Sequence, residues 1–147
     1  MANSKEKIEE FVYGIRNNSY IGSDAIPRMA RMLLVDKSIT SIDAKDSVGR
    51  TALQHQAYYG ATGTIAWLLR QDPPPNIDLP GPGQRTPLMY AAASPFDPEG
   101  KVRLLIEYGA DRNLKDVNGE TAMEYARVKN KPAVIDLLKN YRPDVSR

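Results

Sequence analysis

Threonine recurs at residues 51, 86 and 121, a step of 35, each time inside nearly the same stretch of sequence. The three frames are Gly49-Arg50-Thr51-Ala52-Leu53, Gln84-Arg85-Thr86-Pro87-Leu88 and Gly119-Glu120-Thr121-Ala122-Met123. Each passes through small residues into an apolar run: Ile65-Ala66-Trp67-Leu68-Leu69, Val102-Arg103-Leu104-Leu105-Ile106 and Val134-Ile135-Asp136-Leu137-Leu138. A constant step of this length marks a stack of short units, none of which can bury its apolar face alone. A solenoid of short helices is therefore expected. Such a stack presents an extended surface, which favours binding over chemistry.

The second copy shows how one unit is built. Thr86 offers its hydroxyl to a backbone N–H at a helix start, and Pro87 suits the first helical position, where no N–H is needed. Leu88, Ala91 and Ala92 give a short helix with one narrow apolar face. A second helix, expected from about Lys101 to Tyr108, supplies Val102, Leu105 and Ile106. Gly109 ends it, as glycine often does just beyond a helix.

These residues resemble the ankyrin repeat family, whose unit is a β-turn and two antiparallel helices of about 33 residues. The resemblance is carried by Tyr108-Gly109-Ala110-Asp111 followed by Asn113-Leu114-Lys115-Asp116-Val117-Asn118-Gly119-Glu120-Thr121. It recurs in Ile42-Asp43-Ala44-Lys45-Asp46-Ser47-Val48-Gly49-Arg50-Thr51. It implies an all-α solenoid of stacked helix-turn-helix units with β-turn tips, in one continuous domain. The expected division is an N-terminal helical cap or degenerate repeat over 1–41 and repeats over 42–76, 77–111 and 112–147. The last repeat includes the C-terminal cap.

The chain departs from the family pattern in places. Gln54, Met89 and Glu124 stand where the family commonly has histidine, which puts in doubt a hydrogen bond that usually ties neighbouring turns. Glu124 is instead placed to close a capping box with Thr121. The second tip, Pro80-Gly81-Pro82-Gly83-Gln84, lacks the usual aspartate, and its Pro82-Gly83 pair suits a type II turn. Two insertions, Asp72–Asn76 and Ser94–Gly100, are expected to be tolerated surface length.

Ile8, Phe11, Val12 and Ile15 form one amphipathic stripe near the N-terminus. Ser23 and Asp24 are candidate caps for a second helix with Pro27 in its first turn and Ile26, Met29, Ala30, Leu33 and Leu34 along it. Met29 and Met32 are expected in the core, and so is Trp67. At the other end, Lys129-Asn130-Lys131-Pro132 opens a helix that Arg142-Pro143 stops, and the architecture is expected to be complete within the 147 residues.

A net charge of +2 implies no general affinity for nucleic acid or an anionic membrane. The sequence holds no cysteine, so disulfides and thiolate chemistry are excluded. No window approaches the roughly 20 apolar residues of a membrane span. A monomeric cytoplasmic protein is expected, the nucleus being also compatible. His55 is the only histidine, too little for a zinc site or a catalytic triad. Gly81 and Gly83 precede no lysine-threonine or lysine-serine pair, so no phosphate loop is formed. Asp97 and Glu99 have no identifiable acid–base partner. No catalytic, metal or cofactor residue is assigned.

The resemblance implies a protein partner on the concave face, made of turn tips and first helices. By register the first unit supplies Lys45, Ser47, Val48, Arg50, Tyr58 and Tyr59. The second supplies Pro82, Arg85, Ala93 and Ser94, and the third Lys115, Val117, Asn118, Glu120, Val128 and Lys129. Tyr58 and Tyr59 cannot both enter the core, because neighbouring helical residues point about 100° apart. Phe96, on the inserted bend, is placed to extend their aromatic patch. Lys45, Arg50, Arg85, Lys115 and Lys129 face the single carboxylate of Glu120, a pattern suited to an acidic protein segment. The double change Arg50→Glu, Arg85→Glu is expected to abolish partner binding with thermal unfolding nearly unchanged. The expected role is that of a non-enzymatic adaptor or scaffold; a regulatory subunit, assembly chaperone or effector dedicated to one enzyme is the alternative.

Overall fold

The computed structural model describes residues 3–13 and 25–143; Ile15, Ser23 and Asp24 lie outside them. Its helices are α1 (Ser4–Tyr13), α2 (Ala25–Ala30), α3 (Ala52–Tyr59), α4 (Thr62–Leu69), α5 (Pro87–Ala93), α6 (Pro98–Glu107), α7 (Ala122–Val128) and α8 (Pro132–Asn140). They pack as two rows. The inner row runs α1, α3, α5, α7, and the outer row runs α2, α4, α6, α8. The described residues thus form an all-α repeat solenoid.

Residue size explains the two rows. Ala52, Ala57, Ala91, Ala92, Ala122 and Ala126 are buried on the inner helices, and their small side chains let neighbouring units approach closely. Ile65, Leu68, Val102, Leu105, Val134 and Leu137 fill the space along the outer row. Trp67 packs against this core, and Met29 and Met32 are buried in it.

The repeated threonines start the inner helices. Thr51 Oγ1 accepts the Gln54 N–H at 3.3 Å, and Gln54 Oε1 accepts the Thr51 N–H at 3.0 Å. Thr86 Oγ1 likewise accepts the Met89 N–H at 3.4 Å, with Pro87 in the first turn. Glu124 closes on Thr121, whose N–H and hydroxyl both donate to Oε2. Each arrangement satisfies backbone groups that a helix start leaves open.

Two of the tips share one design. Asp46 Oδ1 accepts the N–H groups of Val48 and Arg50 at 2.9 and 2.8 Å. Asp116 Oδ1 does the same for Asn118 and Glu120 at 2.8 and 2.9 Å. The second tip has Gly81 in the aspartate's place. There the Gln84 N–H donates to the Gly81 carbonyl at 3.0 Å while Gly83 holds φ 69°, the positive value a type II turn requires.

The missing histidine is replaced at the first joint. Gln54 Nε2 donates to the Leu79 carbonyl at 2.6 Å, so this side chain caps its own helix and ties the next unit. At the second joint Met89 has no such donor, and the Val117 N–H reaches the Gly83 carbonyl at 2.9 Å. The first insertion is anchored as well: the Asn76 N–H donates to the Asp43 carboxylate at 3.1 Å.

Three expectations need correction. α6 begins at Pro98, not near Lys101, because Asp97 caps it by accepting the Gly100 N–H at 3.2 Å. Asp97 also accepts the Thr62 hydroxyl at 2.7 Å, so the second insertion is tied to α4 rather than free surface length. Leu34 is exposed rather than part of a buried stripe, because α2 runs on into a π-helical turn, Arg31–Val35, which shifts the phase and buries Met32.

Lys101 is fully buried. Its Nζ donates to Ser94 Oγ at 3.1 Å and to the Tyr58 carbonyl at 3.4 Å, near the end of α3. Lys131 Nζ reaches the Ser94 carbonyl, just past the end of α5. Both ammonium groups thus sit at helix C-termini, where the backbone dipole favours cations.

Two outcomes are expected. Gln54→Ala, which orphans the Thr51 N–H and the Leu79 carbonyl, should cost about 2 kcal/mol in urea unfolding. Burial pushes the Lys101 ammonium down to about 8, whereas in the unfolded chain it titrates near 10.5. The unfolded state therefore binds more protons across that window, and stability rises with pH there. The slope is at most about 1.4 kcal/mol per pH unit. Denaturation from pH 8 to pH 10 should show the rise, and Lys101→Met should reduce it to the share of Lys131, whose pKa burial also lowers. Tyr125, pushed up to about 12 by burial and its bond to Asp116, opposes the rise only above pH 10.

Candidate functional site

A groove of about 540 Å³ crosses the inner face and takes residues from all three repeats. Its floor is an aromatic row. His55, Tyr90 and Tyr125 stand on α3, α5 and α7, each four places after its unit's threonine, and all three line the groove. One rim is formed by Val48, Arg50, Pro82, Arg85 and Glu120 from the tips. The other carries Tyr58, Tyr59, Ala93, Val128 and Lys129 from the helix ends.

The aromatic side chains are coupled at the first unit. The His55 ring lies 4.5 Å from Tyr13, edge to face, and 5.0 Å from Tyr59, which in turn meets Tyr58 at 4.6 Å. Burial first, and the nearby Arg50 charge second, push the His55 imidazole down to about 4, against the weaker pull of Asp46. It is neutral at pH 7 and forms part of a packed floor.

The two arginines differ. Arg50 Nε lies 3.3 Å from Asp46 Oδ2, and its Nη2 donates to the Tyr13 hydroxyl at 2.9 Å. Its guanidinium also lies 5.6 Å from the centre of the Tyr13 ring. Arg85 instead reaches into the next unit, where its Nε donates to the Tyr125 hydroxyl at 3.0 Å. Tyr125 in turn donates to Asp116 Oδ2 at 2.6 Å. Tyr90 feels both cations: burial raises its pKa, while Arg85 and Arg50 both act to lower it.

Of the side chains named from sequence, Val48, Arg50, Tyr58, Tyr59, Arg85 and Lys129 are brought together in this groove, as are Pro82, Ala93, Glu120 and Val128. Others are not. Ser94 is fully buried and donates its hydroxyl to the Tyr58 carbonyl. Phe96 does not line the groove, and its ring lies 6.0 Å from Lys101 Nζ. Lys45, Ser47, Lys115, Val117 and Asn118 are exposed but outside it. The basic stripe therefore contracts to Arg50, Arg85 and Lys129 in the groove, with the Arg50 charge balanced by Asp46. The same contact makes a stability cost the expected outcome of the double arginine reversal, beside the loss of binding. A glutamate at position 50 would place a second carboxylate against the buried Asp46 side chain.

His55, Tyr90 and Tyr125 were missed as one row, though their spacing of 35 is plain in the sequence. Read one at a time, each passes for an ordinary helical aromatic. A second hollow of about 480 Å³ lies near the C-terminal end. Arg112 lines it but donates to the Leu137 and Leu138 carbonyls at 3.4 and 3.1 Å, closing the end of α8.

The model of a family described as ankyrin repeats (3 copies) matches residues 23–116 and 75–147. Such matches, on a two-row stack with capped inner helices, define a helical repeat protein. The chain belongs to the ankyrin repeat family. A solved structure, the crystal structure of EF0377, an ankyrin repeat protein, is similar to it with a TM-score of 0.72 and 25% identity. The match covers 92% of this chain and 63% of that one, so this chain spans less than two thirds of that relative's length. No curated protein matches the sequence. Ankyrin repeats are in general modules for protein–protein interaction. Among the described residues no helix is long and apolar enough to cross a membrane.

His55 sets an acid limit on stability. The unfolded imidazole takes its proton near 6.5 and the folded one only near 4. The unfolded state binds more protons between those values, so stability is lost as pH falls through that window. Urea midpoints measured from pH 7 to pH 4.5 should fall with a slope of at most about 1.4 kcal/mol per pH unit. His55→Phe should flatten that slope. Glu9 and Glu124, whose pKa values are lowered from 4.5, add a loss of the same sign near pH 4.5, and Asp116, lowered from 3.8, adds one below it. The His55 share is therefore read from pH 7 to about 5.5.

Proposed function

We propose that this chain is a non-enzymatic adaptor or scaffold module, monomeric by itself, that holds a partner protein in the groove of its inner face. The observation that carries this reading is the continuity of the groove across three units, with an aromatic floor and rims of valine, tyrosine and cation. Aromatic side chains and arginine dominate the energetics of protein interfaces, because they bury much area and lose little freedom on binding. Tyr59 is 42% exposed, Val48 57% and Val128 79%, so apolar surface is open to a partner on both rims. Val48 stands at one tip and Val128 at the end of α7, which suits a segment laid across the repeats. An acidic segment fits the surplus of cations over Glu120, and such complementarity raises the rate of association.

Tyr58→Ala with Tyr59→Ala tests the reading. Affinity capture from a lysate of the source cell should retain a stoichiometric protein on the natural chain. The double variant should bind that protein at least about 30-fold more weakly, as loss of an interface hot spot does. Thermal melting and circular dichroism should show the variant folded. Equal retention by the folded variant would sink the groove as the contact surface.

A further inference from the structure

Among the described residues, Arg85 and Lys129 are the groove cations without an ion pair, and for Arg85 the cause lies in the joint before it. In the first repeat, the arginine before the threonine pairs with the tip aspartate: Arg50 with Asp46 at 3.3 Å. The second repeat keeps the arginine, Arg85, but has Gly81 where the aspartate would be. Gln54 explains the glycine. A Cβ at position 81 would lie 2.4 Å from Gln54 Oε1, the atom that also accepts the Thr51 N–H. The glutamine that joins the first two units thus occupies the volume an aspartate would need. Arg85 consequently has no acidic partner within its own tip.

No other carboxylate takes its place. The ion pairs among the described residues are Arg28–Glu10, Arg31–Asp36, Arg50–Asp46 and Arg127–Glu124. Arg85 is exposed, its Nε donates to the Tyr125 hydroxyl, and its guanidinium stands 6.0 Å from the centre of that ring. Asp116, two steps away, accepts Tyr125 through Oδ2 and two backbone N–H groups through Oδ1. The relay fixes the orientation of the Arg85 fork; Asp116 acts on its charge only across Tyr125, without a direct ion pair. A guanidinium held in place loses less freedom on pairing than a mobile lysine does.

We infer that Arg85 anchors a single aspartate or glutamate side chain of an extended partner segment lying in this groove, and that Arg50 does not. The inference rests on the groove being the partner site. Arg85 stands on the tip rim and Lys129 on the opposite one, so a single guanidinium meets a single carboxylate; a phosphate, carrying close to two charges, would call for more cations beside Arg85. Apolar groups flank the anchor, Pro82 and Met89 among them, so an apolar residue beside the acid suits the same groove.

The test is selection from a phage-displayed random peptide library on the natural chain, followed by binding of the selected peptides as synthetic probes. The selected peptides should share one acidic position. Replacing that acid by its amide should weaken binding about 10- to 100-fold, the range for a hydrogen bond to a charged group. On Arg85→Gln, acid and amide peptides should bind equally weakly. Arg85→Lys should restore part of the difference, and Lys139→Gln, outside the groove, should leave it intact. Thermal melting confirms that each variant is folded. Peptides without a shared acid, additive losses in the peptide and Arg85→Gln, or tighter binding of a phosphoserine version would overturn the inference. If such peptides still lose affinity to Tyr58→Ala with Tyr59→Ala, the groove remains the partner site. If no groove substitution affects them, that reading falls as well.

Discussion

The inner helices of the three repeats are only eight, seven and seven residues long, and helices that short do not persist alone in water. Their stability must come from stacking, which requires close approach and satisfied backbone at every helix start. The alanines supply the first and the threonine caps the second. With Thr51 and Thr86 almost fully buried, an uncapped N–H there would have no water to turn to. The 35-residue step therefore expresses a helix-start requirement repeated three times, with Thr121 the more exposed instance.

The site follows from how one joint is made. Gln54 caps α3 and holds the next unit through the Leu79 carbonyl. Its amide fills the space over Gly81, which removes the tip aspartate from the second unit and leaves Arg85 to lean on Tyr125 instead. A structural substitution at one joint thereby sets the charge of the groove. Lys101 works in the opposite sense. It is a cation withdrawn from the surface, bound to Ser94 and to the end of α3, and it contributes to cohesion between units rather than to recognition.

Much of the fold was legible because its signals are local and repeated. Threonine caps, proline in the first helical turn, glycine after α6 and the type II turn at Pro82-Gly83 each depend on a few adjacent residues. The start of α6 was misplaced because Ser94–Gly100 was read as one loop, although Asp97-Pro98 is itself a helix-start signal. The groove was legible in part. Register placed Arg50, Arg85, Tyr58 and Tyr59 on the inner face, where they line the groove, but it placed Ser94 there too. Whether a helix-end residue points out or in depends on the next loop, and the bend after α5 turns Ser94 into the core.

The sequence by itself determined the repeat, the two-helix unit, the family and the side of the stack that carries the tips, because each is written in spacing within a single unit. Tertiary structure alone decided which charges remain available. Arg50 and Arg85 hold the same place in their units, yet one meets Asp46 and Tyr13 while the other meets Tyr125, 40 residues further on. The Arg50–Asp46 pair forms within one tip, but the Tyr13 and Tyr125 contacts arise only when units are stacked, since those side chains approach across a joint. Local sequence fixes the position of a charge along the chain; its neutralisation depends on what the fold brings within a few ångströms.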